Sequence, residues 1–216
     1  MNNKRSEIIT KNLLNSIARG TIGPGDKLPS IEKLAKTFGT SAISVREALQ
    51  ALDIIGLAEI RQGKGVFITE GGSIILELLE ARKVFEVHNS MMAARNISNP
   101  ELEGIENILK TMNEDLEKGD PDSFSERDYE FHLMIAKASR NRIFFKVLEN
   151  IRTLLQYQQL AINRCPGILV NSNYRHQEIF NAIKKRDADL SGAIMAQHIN
   201  DIIESWKYTT KANDKC

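Results

Sequence analysis

Residues 39–69 read GTSAISVREALQALDIIGLAEIRQGKGVFIT, and the fold turns on how they are read. Val45, Ala48, Leu49 and Leu52 recur at three- and four-residue steps. That is the apolar stripe of a helix, which Thr40 or Ser41 can cap. After Gly56 the period changes. Leu57-Ala58-Glu59-Ile60-Arg61 and Val66-Phe67-Ile68-Thr69 are short β-prone runs around Gln62-Gly63-Lys64-Gly65, the pattern of a hairpin with a basic tip.

Working back from Gly39, Ser30 is a candidate N-cap for a short helix carrying Ile31, Leu34 and Ala35 that stops at Phe38-Gly39. Before it, Ile8, Ile9, Leu13, Leu14 and Ile17 mark one face of a longer helix, closed by Gly20 and the turn cluster Thr21-Ile22-Gly23-Pro24-Gly25-Asp26. Two short helices around a tight turn, followed by a hairpin, spell a winged helix-turn-helix over residues 1–70. In that arrangement the helix after Gly39 offers its N-terminal residues to the major groove. Arg61 and Lys64 on the wing are placed for phosphates or the minor groove. Taken singly, Arg46 reads equally as a surface arginine paired to Glu47, and Lys64 as a solvated hairpin tip.

Charge supports this division modestly. Residues 1–70 carry 10 Lys and Arg against 7 Asp and Glu, while the remainder carries 19 against 21. A slightly basic small domain beside a slightly acidic larger one fits nucleic-acid binding by one part. Hydrophobic and charged shares of 42% and 26% are those of ordinary globular protein. No apolar run approaches the roughly 20 residues that span a bilayer, and the polar start suggests no signal peptide. Two cysteines, Cys165 and Cys216, are too few for a disulfide framework. The expected compartment is the cytoplasm, with no membrane association.

From Gly71-Gly72-Ser73 onward the periodicity is helical. Residues 71–75 read as a short linker and 76–210 as an all-helical domain. Turn signals at Ser98-Asn99-Pro100, Gly119-Asp120-Pro121, Ser139-Arg140-Asn141, Cys165-Pro166-Gly167 and Lys185-Arg186-Asp187 divide it into about six helices. Amphipathic helices joined by short turns form an antiparallel bundle. The whole chain is therefore expected to be mainly α, with the β-hairpin wing as its small sheet.

Three of the four histidines stand out with one acid. Asp128 and His132 are four residues apart, hence on one helix face. His176 and His198 fall on later helices and could converge with them inside the bundle. One carboxylate and three neutral imidazoles suit Zn²⁺, Ni²⁺, Mn²⁺ or Fe²⁺ rather than Ca²⁺. By spacing alone, core or surface histidines remain the commoner case. His88 reads as an ordinary exposed or core histidine. Arg82 could bind an effector carboxylate with its forked donors or pair with Glu86 one turn on. Asn141 reads as a turn or cap residue that could also reach the effector.

Two sets of motifs carry a resemblance. Gly25-Asp26-Lys27-Leu28-Pro29-Ser30, Val45-Arg46-Glu47-Ala48-Leu49, Gly56-Leu57 and Gly63-Lys64-Gly65-Val66-Phe67-Ile68 resemble the DNA-binding domain of the GntR family over nearly all of residues 5–70. Members often have arginine where this chain has Glu32 and Ala42, and a Thr pair or Thr-Pro where it has Ile43-Ser44, all positions that usually touch DNA; Ser41, Ser44 and Arg46 remain, and the resemblance implies that they contact it. Asp128-x-x-Phe131-His132-x-x-Ile135, then His176-x-x-Ile179-x-x-Ala182-Ile183 and Ala196-x-His198-Ile199, resemble the FCD effector domain of FadR-like GntR regulators. The resemblance implies a metal bound by Asp128, His132, His176 and His198, with Zn²⁺ or Ni²⁺ favoured. Arg82 matches an arginine common on the first helix of that domain.

The expectation is thus a metabolite-responsive repressor, not an enzyme. It would act as a homodimer on palindromic double-stranded DNA, with a small carboxylate filling open metal positions. The competing expectation is a metal-dependent hydrolase or isomerase using the same four residues, with Glu130 or Glu178 as base. It lacks a His-Glu-x-x-His spacing and leaves the winged domain unexplained. Cys165, before a proline and with no evident base, is a poor nucleophile.

Overall fold

The computed structural model describes residues 2–18, 20–69, 72–163 and 167–211. Cys165, Cys216 and Gly71 lie outside them. The chain divides into two compact units, Met1–Ile75 and Leu76–Cys216.

In the first unit α1 (Asn2–Ala18), α2 (Ile31–Phe38) and α3 (Ala42–Ile54) precede a hairpin of β1 (Ala58–Arg61) and β2 (Gly65–Ile68). The Ser30 hydroxyl accepts from the Lys33 N–H to start α2. Gly39 ends it at φ 59°, a left-handed turn that costs a side-chain-bearing residue more than glycine. Ser41 caps α3 by accepting from the Ser44 N–H. Val45, Ala48, Leu49 and Leu52 are all buried on α3, which packs against α1, α2 and β1. Burial of that order stabilises by about 1.5–3 kcal/mol for each large side chain. The hairpin is antiparallel with Ala58 opposite Ile68 and Arg61 opposite Gly65. Lys27 pairs with Phe67 as a further bridge, tying residues 25–28 to the wing.

The buried face of α1 differs from the expected one. Ile9, Leu13 and Leu14 are buried, but Ile8 is 54% exposed, and Ser6 and Thr10 take its place. Residues 6, 9, 10, 13 and 14 form one continuous stripe, and position 8 lies about 100 degrees off Ile9. Thr10 offsets its burial by donating to the Ser6 carbonyl.

The second unit is helical throughout its described residues. It comprises most of α4 (Gly72–Asn96), then α5 (Asn99–Lys118), α6 (Pro121–Ala138), α7 (Arg142–Asn150), α8 (Arg152–Ile162), α9 (Ile168–Lys184) and α10 (Ala188–Lys211). Residues 72–75, expected as linker, are the first turn of α4. α5 packs against both α6 and α9, α9 against α10, and α8 touches α6, α7 and α10. Where one helix was expected over 142–164 there are two. The chain breaks at Ile151, which ends α7 and starts α8 with φ −89° and ψ 5°. Neither glycine nor proline marks the break. It lets α7 lie on α6 while α8 reaches α10.

Glu101 joins two corners of this unit. It accepts from the Ser98 N–H and hydroxyl at the start of α5, and bidentately from Arg140 at 2.8 Å for both bonds. Arg140 sits at φ 64°, a strained conformation that this fork helps to hold. Burial opposes ionisation, but Arg140 and Ser98 outweigh it and lower the Glu101 carboxyl to about 2. Because its folded value lies below the unfolded one, Glu101 stabilises fully above the ordinary carboxylate range and loses that contribution as pH falls toward 2. Glu101→Gln should therefore destabilise by about 1–3 kcal/mol at pH 7. Urea unfolding should show the gap to the parent protein narrowing steadily as pH falls from 5 toward 2. An undiminished gap at pH 3 would contradict the charge-based account.

Candidate metal centre and nucleic-acid interface

Asp128 and His132 project from one face of α6, and His176 on α9 and His198 on α10 meet them in the interior of the second unit. All four are buried, and one ligand atom from each lies within 4.8 Å of all the others. His176 Nε2 is 3.3 Å from His198 Nε2 and 3.3 Å from Asp128 Oδ1. The three imidazole centroids are 4.6–5.3 Å apart. This convergence joins positions up to 70 residues apart, so it belongs to tertiary structure.

Polar side chains that sequence reasoning missed hold the cluster in place. The Glu86 carboxylate contacts His132 Nδ1, which turns the other ring nitrogen toward the cluster. A carboxylate behind a ligating histidine fixes its ring and raises its basicity. Gln159 Nε2 donates to Asp128 Oδ2 at 2.6 Å, leaving Oδ1 facing His176. Arg82 is buried; its Nε donates to Glu86 at 2.5 Å and its Nη1 to Gln158 Oε1 at 3.3 Å. Of its two sequence readings, the Glu86 pair is the one formed. The only advance signal for Glu86 was its four-residue spacing from Arg82. Gln158 and Gln159 had none.

The electrostatics suit a cation. Burial lowers His176 and His198 well below the ordinary imidazole range, and neighbouring positive charge adds to this. Both are therefore neutral at pH 7, the form that ligates metal. Burial raises the Asp128 carboxyl, with His132 and Arg82 opposing. For Glu86, burial also opposes ionisation, but Arg82 and His132 outweigh it and keep the carboxyl well below its usual range. His132 Nε2 has no hydrogen-bond partner among the described residues. An orphaned buried nitrogen beside a buried carboxylate is costly alone, and a divalent ion of borderline hardness would offset that cost. The donor set fits such an ion.

Two acids considered as bases for a hydrolase lie elsewhere. Glu130 pairs with Arg127, and Glu178 with Arg175, on partly exposed surface. Asn141 is also separate. Its Oδ1 accepts from the N–H groups of Ile143 and Phe144, capping α7. It lines a surface cavity of about 370 Å³ with Lys137, Arg140, Arg142 and Phe145. His88 is exposed and meets the Phe144 ring edge-on.

In the first unit the outward face of α3 carries Ala42, Ile43, Arg46 and Gln50, all exposed. Arg46 thus projects from the side of the helix away from the core. Glu47, the alternative partner for it, has Oε2 buried with no hydrogen bond among the described residues. Glu32 is close enough to feel Arg46. Its own backbone hydrogen bond and the Ser30 hydroxyl lower its carboxyl first, and the Arg46 charge adds to them. Ser41 is exposed, but Ser44 is 0% exposed, with its hydroxyl 3.1 Å from that of Ser41. Ser44 cannot present its side chain to a groove; it supports the Ser41 cap instead.

On the wing, Lys64 is exposed between two glycines. Arg61 donates twice to Glu59 and lies 4.6 Å from the Phe67 ring, so it is already engaged within the hairpin. Lys27 adds a cation that was missed: its Nζ lies 5.9 Å from Phe67. A Cβ on Gly65 would come within 2.7 Å of the Lys27 stem.

Comparison with known proteins matches this architecture. Residues 5–68 match the model of bacterial regulatory proteins of the gntR family, and residues 77–201 match the FCD domain. The HTH-type transcriptional regulator LutR of Bacillus subtilis (strain 168) is 28% identical over 86% of this chain and 94% of its own length. The HTH-type transcriptional repressor NanR of Edwardsiella tarda (strain FL6-60) is 29% identical over 94% of this chain and 85% of its own. Among solved structures, McbR/YncC of E. coli aligns over 97% of this chain and 99% of its own with a TM-score of 0.74. At 19% identity that likeness speaks to the fold alone. Among the described residues no helix is long and apolar enough to cross a membrane. With a winged helix-turn-helix that bares Arg46 and an FCD domain behind it, the chain belongs to the GntR family and is a DNA-binding transcription regulator.

Proposed function

We propose that this regulator is a metabolite-responsive repressor. It binds a palindromic operator as a homodimer and senses a small carboxylate through a divalent metal, Zn²⁺ or Ni²⁺ foremost, held by Asp128, His132, His176 and His198. The carrying observation is the buried cluster together with its tethers, since Glu86 and Gln159 orient His132 and Asp128 as supports of a ligand set do.

Charge favours a carboxylate. Arg82 and Glu86 neutralise each other, Asp128 offsets one charge of a divalent ion, and metal-bound imidazoles add none. One unit of positive charge is left for a monoanion in a dry interior, where it counts heavily. Four protein donors leave positions of an octahedral ion for the effector. A cavity of about 160 Å³ between the start of α9 and α10 reaches His198 and offers a way in. The metal would supply Lewis-acid binding of the carboxylate oxygens. The protein orients it and excludes water. Effector binding then favours one packing of the bundle and alters operator affinity.

The test is retardation of a promoter fragment from beside the protein's own gene by the metal-loaded protein. Retardation should fall steeply with salt and shift on addition of carboxylates. No affinity for promoter DNA at low salt would end the repressor reading.

The pairing surface is assigned to α4 and α7. Val84 and Ile143 are 74% and 71% exposed, and Val147 stands one turn beyond Ile143. Phe85 and Phe144, with centroids 6.3 Å apart, join the two helices beneath them. Apolar surface spread over two packed helices suits self-complementary contact with a second copy. Val84→Glu combined with Ile143→Glu should convert the dimer to monomer in sedimentation velocity, with folding unchanged by circular dichroism. A dimer that survives both changes would place the interface elsewhere.

A further inference from the structure

The wing has a third edge that comes from outside the hairpin. Residues 25–28 run antiparallel to β2. The Gly25 N–H donates to the Ile68 carbonyl at 2.8 Å, the Ile68 N–H to the Asp26 carbonyl at 2.9 Å, and the Leu28 N–H to the Val66 carbonyl at 2.8 Å. Lys27 therefore stands opposite Phe67 on one side, as Glu59 does on the other. Residues directly opposite across antiparallel strands share a face, and Arg61, two residues on from Glu59, joins them. The reverse face carries Leu28, Ala58 and Ile68, each 3% exposed. Lys27, Phe67, Glu59 and Arg61 thus occupy the outward face.

The cations on this face are not equivalent. Arg61 gives Nε and Nη2 to Glu59 at 2.9 and 2.7 Å and lies 4.6 Å from the Phe67 ring. Lys27 is exposed and has no ion pair among the described residues. Its Nζ, 5.9 Å from Phe67, is at the outer limit of a cation–π contact. The lysine stem runs along β2 toward the tip. A Cβ built on Gly65 would meet Lys27 Cε at 2.7 Å and Nζ at 3.5 Å, so the stem lies across the bare backbone of Gly65. Gly65 is the neighbour of Lys64, which is also exposed. Two ammonium groups from different segments therefore stand at the wing tip.

We infer that Lys27 is a DNA-backbone contact of the wing, sharing with Lys64 the role that Arg61 is too occupied to fill. This rests on the DNA binding of the family. An ammonium is a compact charge with three rotatable donors, suited to a phosphate oxygen, and it lacks the planar fork of an arginine. A phosphate contact releases counterions whatever the base sequence, so Lys27 acts on all DNA alike. Ser30, the N-cap of α2, follows three residues later. The contact thereby joins the wing to the entry of the helix-turn-helix.

The test uses full-length protein and two labelled duplexes, the promoter fragment beside the protein's own gene and a scrambled version of it. Both are titrated between about 50 and 200 mM salt. Lys27→Met keeps the stem and removes the charge. On both duplexes it should lower the slope of log affinity against log salt by about one and weaken binding about 3- to 10-fold near 0.1 M salt. Lys27→Arg should keep the slope. Lys27→Met combined with Lys64→Ala should lower it by about two, because the lysines take separate phosphates. Tm of Lys27→Met should stay within about 2 °C of the parent value. An unchanged slope in Lys27→Met overturns the assignment, and a lowered Tm beside it makes Lys27 a support of Phe67 instead. A slope lowered on the promoter fragment alone overturns it in favour of a base contact. A parent protein that binds neither duplex at low salt removes the DNA-binding reading, and this one with it.

Discussion

Alanine at His176 should abolish the proposed metal binding in the bundle. His176 touches both Asp128 and His198 and is fully buried, so its loss removes one donor and leaves a void that the remaining three cannot close. Elemental analysis of protein purified without a nickel resin should give about one transition-metal ion per chain for the parent and less than about a tenth for His176→Ala. The stability readout is independent of the metal count. A ligand that binds only the folded state stabilises it in proportion to the logarithm of its excess over Kd. A chelator should therefore lower Tm of the parent by many degrees and leave His176→Ala unmoved. Glu86→Gln should be milder, losing about 10- to 100-fold in metal affinity, because it weakens the hold on His132 without removing a donor. His88→Ala, at an exposed position, should change neither measurement. Acid should release the metal from the parent, since protons compete for the same imidazoles and for Asp128, whose carboxyl burial already raises. A parent protein that takes up no metal even after reconstitution with Zn²⁺ and Ni²⁺ would remove the centre from the account.

Arg46→Ala should cost the protein its operator. The arginine stands on the exposed side of α3 in the helix's first two turns, where a guanidinium fork can take both acceptors of a guanine. Such a pair contributes about 1–3 kcal/mol, which is roughly 5- to 150-fold in operator affinity. Binding to unrelated DNA should fall much less. Lys64→Ala is the contrasting variant. A hairpin-tip lysine on phosphate should weaken all sequences alike and reduce the salt slope by about one. Arg61→Ala should do less than either, because Glu59 and Phe67 already occupy its guanidinium. Titrations of operator and scrambled duplexes at several salt concentrations separate these cases. Equal loss on both duplexes for Arg46→Ala would reassign it from base to backbone.

Wherever a signal is local, the sequence carried it. Ser30, Gly39 and Ser41 delimit α2 and α3 through hydrogen bonds spanning three or four residues, and the stripe of α3 is buried as its period demands. The hairpin follows from two short β-prone runs around Gly63 and Gly65. Asp128 and His132 share a face because four residues make about one turn. Local signals failed where neighbours in space decide. Ile8 fits the α1 pattern as well as Ile9 does, yet only Ile9 meets the core. Ser44 reads as a groove-facing serine, yet the Ser41 cap and the packing of α3 turn it inward. The break at Ile151 has no glycine or proline to announce it.

The sequence by itself, with the family motifs it carries, therefore determined a winged helix-turn-helix followed by a helical domain, and named the four residues of the candidate metal centre. Helix caps, turn residues and apolar periods act over a few residues, so they are written in the order of the chain. Only the tertiary structure decided that His176 and His198 come within 3.3 Å of each other, that Glu86 and Gln159 steady the cluster, and that Arg82 is occupied by Glu86. It alone left Asn89 buried with no hydrogen-bond partner among the described residues. A polar residue on a helix reads as solvent-facing until packing closes over it, and that closure depends on helices far apart in the chain.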